Sequence, residues 1–370
     1  MELARLPLRR IGVRLAEGID ATLLVLLVAL SMIGLATLFS ASYENSARVL
    51  AQLANLGVAL VAMWLIAQVP PQTMMRFAVP AYVIGLCFLL AVALRGDIVN
   101  GARRWLHVGV TRFQPSEMMK LALPLMLAWY FHRNESTLRL RNFAIAAILM
   151  LVPVGLIVRQ PDLGTAALVG AAGFYVIFFA GISWKVLGTL AALGLAAAPL
   201  VWGVMHDYQR RRILTLLDPS TDPLGAGYHI IQSTIAVGSG GFSGKGWLNG
   251  TQAHLEFIPE RHTDFIFAVF SEEFGLLGNL TLLILYALLV ARGLMIAAGA
   301  ATVFARLIAG SIALMFFTYA FVNMGMVSGV LPVVGVPLPF LSYGGTALLT
   351  LYIGSGILMS VHRHRTLVQT

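Results

Sequence analysis

The stretch Pro259–Gly275 reads PERHTDFIFAVFSEEFG. It brings a carboxylate, Asp264, to the mouth of an apolar run that continues to Val290. Glu272 and Glu273 follow two turns further in, about 12 Å along a helix, and read as internally paired groups that hold the bundle together. About 20 apolar residues cross the hydrocarbon of a bilayer, and this run is long enough to do so. Ionisable groups at that depth are costly in lipid and mark functional positions. The segment therefore decides the fold class, a membrane helix, and supplies the first candidate site residue.

Composition extends this reading to the whole chain. Of 370 residues, 59% are hydrophobic and 11% charged, with a mean hydropathy of +0.85. Soluble domains carry about a quarter charged residues. An all-α, polytopic membrane protein follows. A soluble enzyme or nucleic-acid-binding domain is excluded despite the net charge of +9. The single cysteine, Cys87, lies inside an apolar run and forms no internal disulfide. Apolar runs predict ten spans: Ile19–Ser40, Leu50–Val69, Phe77–Leu94, Pro115–Phe131, Phe143–Val158, Leu163–Ala180, Val186–Met205, Phe265–Val290, Leu307–Val330 and Gly345–Val361. The first is too long for a signal-peptide core and reads as a retained span. Residues 1–370 form one membrane domain, whose only long loop, 205–263, joins spans seven and eight. No internal repeat is visible.

Arginines orient the helices, because short cytoplasmic loops collect positive charge. Arg5, Arg9, Arg10 and Arg14 precede span one; Arg133, Arg139 and Arg141 follow span four; Lys185, Arg292, Arg306, Arg363 and Arg365 fall on the same side. Both termini are then cytoplasmic, and the long loop is outside. One short outer loop opposes the rule: RGDIVNGARRWLHVGVTR, Arg95–Arg112, holds four arginines against Asp97. An anionic ligand would favour such a loop, and so would acids of the long loop.

Spans four, six, eight and ten enter from outside, so their N-termini present free N–H groups and partial positive charge there. Unusual polar residues crowd these ends. Span four opens FQPSEMMK, with Glu117 and Lys120 on one helix face. The pair neutralises itself for insertion, lines a cleft, or does both. Asp162, opening span six, is a helix cap or a ligand. Asp264 has the same choice. Trp105 beside Arg104 serves as an interfacial anchor or a platform for a sugar face. Four positive helix ends, a basic loop and several carboxylates predict one polar cleft in the outer half of the membrane. The Gly238–Gly246 stretch lacks the phosphate-loop spacing, which argues against a nucleotide; it reads as a flexible loop sooner than as a backbone nest for phosphate. Residues 228–237 read as a short interfacial helix. The histidines show no zinc spacing.

These motifs carry a resemblance. RFQPSEMMK (Arg112–Lys120), QPDLGT (Gln160–Thr165), DPLGAGYHIIQS (Asp222–Ser233), PERHTDFIFAV (Pro259–Val269) and GVPLPFLSYGG (Gly335–Gly345) make the chain similar to the SEDS family of bacterial cell-wall proteins across essentially all ten spans. The GYHIIQS and ERHTDF wording is nearer the rod-elongation branch than the division branch. The resemblance implies a peptidoglycan glycosyltransferase that polymerises lipid II on the outer face of the inner membrane, within the elongation complex and beside a class B penicillin-binding protein. It puts the family's essential acid at Asp264. It also puts the family's sensitive Glu and Lys of span four at Glu117 and Lys120, the aspartate of its QPDLGT motif at Asp162 and an outer-loop aromatic at Trp105.

The implied chemistry joins an α-linked diphosphate donor to a 4-hydroxyl with inversion. That needs a base, assigned to Asp264, and positive charge for the leaving diphosphate. Candidates for the latter are Arg104, Arg112, Lys120, Arg210 and Arg261. A divalent cation, magnesium or manganese, suits the hard oxygens of Asp264, Asp162 and Glu117. Two rivals differ in class. A lipid II flippase would place its polar site near the midplane, and a non-catalytic scaffold would make no glycan by itself. The crowding of polar groups at one face favours the enzyme.

Overall fold

The computed structural model describes residues 19–42, 45–99, 102–108, 111–205, 207–222, 225–255, 257–258 and 260–365. The arginines at 5, 9, 10 and 14 lie outside the described residues. All ten expected spans are helices: α1 (Ala21–Ala41), α2 (Ser46–Gln68), α3 (Pro71–Arg95), α4 (Pro115–Arg133), α5 (Leu140–Val158), α6 (Leu163–Phe179) and α7 (Trp184–Val204), then, after the long loop, α11 (Ile266–Ala298), α12 (Val303–Val327) and α13 (Gly345–Arg363). Eight are long and apolar enough to cross a membrane. The other two are the shorter α6 and α4, which carries Glu117 and Lys120. Prolines open α3 and α4, where the missing N–H costs no helical bond.

The core centres on α12, whose residues are mostly buried and which packs against α4, α6, α11 and α13. The α2 helix lies along α13. By contrast, none of the described residues of α7 is buried. At the N-terminal end of α1, Asp20 caps the helix through the Leu23 N–H (2.7 Å) and pairs with Arg292 of α11 and His362 of α13.

Three features depart from the sequence reading. First, the basic outer segment is a small antiparallel sheet, β1 (Asp97–Val99), β2 (Ala102–Val108) and β3 (Thr111–Phe113), in that order. Asn100-Gly101 is a hairpin signal between β-branched and aromatic residues, and the run of arginines hid it. Second, the long loop is largely helical: α8 (Asp207–Leu217), α9 (Ala226–Ser239) and the single turn α10 (Thr251–His254). The α9 helix contains the expected segment but packs inward, with Ile230 and Ala236 buried and Ser233 Oγ donating to the Val327 carbonyl at 2.9 Å. Third, α11 is broken at Gly275, which has φ 61° and ψ −158°.

Candidate active site

The N-terminal ends of α4 and α6 are linked to each other, as are those of α11 and α13. Asp162 links the first two. Its Oδ1 accepts from Thr165 N (3.1 Å), capping α6, while its Oδ2 accepts from Gln114 Nε2 (3.2 Å) at the entrance to α4. The β2 strand adds Arg104. Its Nη2 donates to the Pro161 carbonyl at 2.6 Å, and its Nε stands 3.9 Å from Asp162 Oδ2 with no hydrogen-bond partner of its own. Asp162 is thus cap and ion-pair partner at once.

One turn deeper, Lys120 Nζ donates to Glu117 Oε1 at 2.5 Å and lies 4.9 Å from the centre of the Tyr319 ring. All three are buried. Removing two charges from water is expensive unless they are paired, and this pair neutralises the only two charges in the first turns of α4. The outer Glu117 oxygen, Oε2, has no partner. Asp162 is within electrostatic reach of Tyr319, so the cap and the pair share one polar neighbourhood.

Asp264 enters from the other side. It lies in the turn before α11, outside the helix, and the N-cap position belongs to Phe265, with no side-chain cap bond. The carboxylate is therefore not consumed as a cap. The turn is held by its backbone. Asn323 of α12 donates both amide hydrogens, to the carbonyls of Asp264 (2.8 Å) and Val336 (2.7 Å). Ser342 Oγ donates to Thr263 O (2.6 Å), and Tyr343 N donates to His262 O (2.8 Å). These bonds stitch the α11 entrance to the α12–α13 connection. Gly335 has φ 70°, and a Cβ there would stand 3.2 Å from Asp264 Oδ2. Gly164 likewise faces the Val334 carbonyl, where a Cβ would come within 2.6 Å.

Among the described residues no cation pairs with the Asp264 carboxylate. Burial, then the negative charges of Glu260 and Asp162, push its pKa up to about 6. Nearby, burial first and then Arg48 and Arg261 hold His262 below its ordinary value.

The remaining expected residues are distributed differently. Arg261 Nε donates to the Ala41 carbonyl (2.8 Å) at the end of α1. Arg210 binds the carbonyls of Trp202 (2.9 Å) and Gly203 (2.6 Å), closing the C-terminal end of α7. Its charge was legible, but its direction was not. Trp105 is paired in register with Asp97 and adjoins Arg104, so the pleat turns it to the opposite face of the ribbon. Arg112 stands in β3 opposite His107, and its side chain lies outside the described residues. Among the described residues no set of three or more His, Cys, Asp or Glu side chains is arranged to hold a metal ion. Sequence reasoning missed Asn323, Gln114 and Gly335. The only signal for Asn323 was a lone amide inside an apolar span.

This bundle, with its acids at helix N-terminal ends, belongs to a recognised class. Residues 20–367 match the model of the FtsW/RodA/SpoVE family of cell cycle proteins, and the chain belongs to that family. It is 51% identical to the peptidoglycan glycosyltransferase MrdB of Escherichia coli K12, over 95% of each chain. It superposes with a TM-score of 0.82 on a solved chain from "structural coordination of polymerization and crosslinking by a peptidoglycan synthase complex". That chain is 37% identical, with 94% of this chain and 99% of that one covered. The rod shape determining protein RodA of Thermus thermophilus gives 0.71 at 32% identity, covering 94% and 97%.

Proposed function

We propose that Asp264 is the general base of glycan polymerisation in this chain. The enzymatic class rests on the relatives: at 51% identity to a peptidoglycan glycosyltransferase over nearly the whole length, the chain is a peptidoglycan glycosyltransferase. The substrate is lipid II, a disaccharide on an undecaprenyl diphosphate. In an in-line displacement the 4-hydroxyl oxygen of the acceptor sugar bonds to the anomeric carbon of the donor. The bond to the diphosphate breaks, its electron pair leaves on the phosphate, and the hydroxyl proton passes to Asp264. One displacement inverts the centre. Diphosphate leaves readily, so a second, protonating carboxylate is not required.

The observation that carries this reading is the state of Asp264: half-buried, without a paired cation, and raised to about 6. A base with that pKa is mostly ionised at neutral pH yet basic enough to take a proton. Arg104 and the N-terminal ends of α4, α6 and α13 supply positive potential for the departing diphosphate. Lys120 contributes through its shared neighbourhood with Asp162, and Glu117 fixes it there. A divalent cation is proposed to arrive with the diphosphate, since Asp162 and Glu117 already spend oxygens on Thr165, Gln114 and Lys120. The site faces the periplasm from the bacterial inner membrane, with both termini cytoplasmic. A class B penicillin-binding protein of the elongation complex is the proposed partner, in keeping with the synthase complex that the fold matches.

The test is polymerisation of purified lipid II by the wild type and by Asp264→Ala, with the transpeptidase present and absent. Glycan from the wild type and none from Asp264→Ala is the expected result. Polymer from Asp264→Ala at the wild-type rate removes the base assignment. Labelled lipid II crossing proteoliposomes with no polymer formed would turn the reading into a flippase.

A further inference from the structure

The glycine-rich stretch Gly238–Gly246 has no part in the chemistry above, yet it is built into the helix that carries Asp264. In an unbroken α11 the N–H groups of Leu276 and Leu277 would donate to the carbonyls of Glu272 and Glu273. Gly275 opens both rungs, and a membrane interior offers no water to fill them. One segment fills all four positions. Lys245 N donates to Glu272 O and Gly246 N to Glu273 O, both at 3.0 Å; Leu276 N donates to Gly241 O at 2.9 Å and Leu277 N to Phe242 O at 3.1 Å.

The glycines are required by contact. Gly244 has φ 79°, and a Cβ there would fall 2.1 Å from Glu273 O. A Cβ on Gly240 would fall 2.1 Å from Ser271 O, and one on Gly275 2.3 Å from Gly244 N. Side chains lock the insertion. The fully buried Glu272 accepts from Lys245 Nζ (2.6 Å), Thr251 Oγ1 (3.0 Å) and Gln252 N (3.1 Å), while Glu273 accepts from Ser40 Oγ of α1. Trp247 Nε1 donates to the Ala36 carbonyl at 3.1 Å.

The outer part of α11, residues 266–274, is thus a short rod gripped at both ends. Asn323 and Ser342 hold the end that bears Asp264, and the inserted loop holds the other. We propose that Glu272, clasped by Lys245 and the 241–246 segment, is a positioning residue for Asp264, setting the depth at which the rod delivers the carboxylate to Asp162. This rests on Asp264 as the base. The charged groups that bear on that carboxylate are Glu260 of its own turn and Asp162 of the α6 entrance.

The experiment measures kcat, KM for lipid II and the pH profile of polymerisation for Lys245→Met, Glu272→Gln, Lys245→Arg and Asp264→Asn. Lys245→Met, on a partly exposed side chain, keeps the test open where Glu272→Gln fails to fold. Lys245→Met is expected to lower kcat about tenfold with KM changed less than about twofold, because small misplacements of a reacting group act on kcat. As Asp264 moves away from Asp162, the acid limb shifts down by a few tenths of a pH unit. Lys245→Arg, which keeps the ion pair, restores both. Wild-type kcat per folded molecule and an unmoved acid limb in Lys245→Met, with Asp264→Asn inactive, overturn the clasp alone. Normal polymerisation by Asp264→Asn removes the base assignment and the positioning role with it.

Discussion

Asp20 and Asp264 are both aspartates placed just before a membrane helix, at opposite ends of the molecule, and the fold treats them in opposite ways. Asp20 is 3% exposed. Burial alone would raise its pKa; the bonds from Arg292 and the Leu23 N–H, with His362 alongside, overcome burial and hold it below the ordinary carboxylate range. Asp264 is also withdrawn from water but meets only like charge, and it is pushed up to about 6. A carboxylate that only has to hold helices together is answered by cations. The one proposed to accept a proton is left unanswered, with its backbone fixed by Asn323 and Ser342 instead.

Exchange of each aspartate for asparagine tests this contrast most strongly. Asp264→Asn is expected to lower polymerisation by about a thousandfold or more, the scale of removing a general base together with its charge. Its detergent-solubilised protein should melt no lower than the wild type, since the charge removed is one that burial penalises. Asp20→Asn should do the reverse. Leaving Arg292 half-buried without its partner costs about 3 kcal/mol, read as a lower melting temperature, while turnover per folded molecule is kept. Equal losses of turnover in the two variants would break the comparison.

A smaller effect is expected at Asn323. Asn323→Leu keeps volume but removes both donors, freeing the Asp264 and Val336 carbonyls from each other. Turnover should fall about tenfold with substrate affinity little changed, because the base loses its fixed position. The finest test is Glu260→Gln. It takes away one of the two negative charges that raise Asp264, so the acid limb of the pH–rate profile should move to lower pH by a few tenths of a unit, about what an exposed neighbouring charge contributes. Activity of the wild type is expected to rise with pH through about 6 as Asp264 ionises, and in Glu260→Gln that rise should come earlier. A limb that stays in place would assign it to another group.

Much of this was legible in the chain and some of it was not, for physical reasons. Apolar runs located all ten helices, because about 20 residues of hydrocarbon depth leave a long, unambiguous signal. The acids at the outer helix ends stood out for the same reason: charge is rare in such runs. The break at Gly275 left no mark, since both halves of α11 are apolar and glycine occurs freely in membrane helices. The strands at 97–113 were masked by arginines that dominate any reading by charge. Arg210 and Arg261 show the limit of counting charges. Each is basic and outward, yet each spends hydrogen bonds on the carbonyls of a helix end. Gln114 and Asn323 are neutral and were passed over, although they touch the candidate residues Asp162 and Asp264.

The clasp at Asp20 also has a consequence for the order in which the chain is made. Its partners lie far downstream: Arg292 is 272 positions later, and His362 belongs to α13. Ser31, in the same first helix, waits for Tyr352, 321 positions on. A nascent chain emerging from the ribosome must therefore shelter an unmatched acid at α1 until residue 292 has been made. Truncations that stop short of residue 292 should leave that helix as the preferred target of membrane proteases.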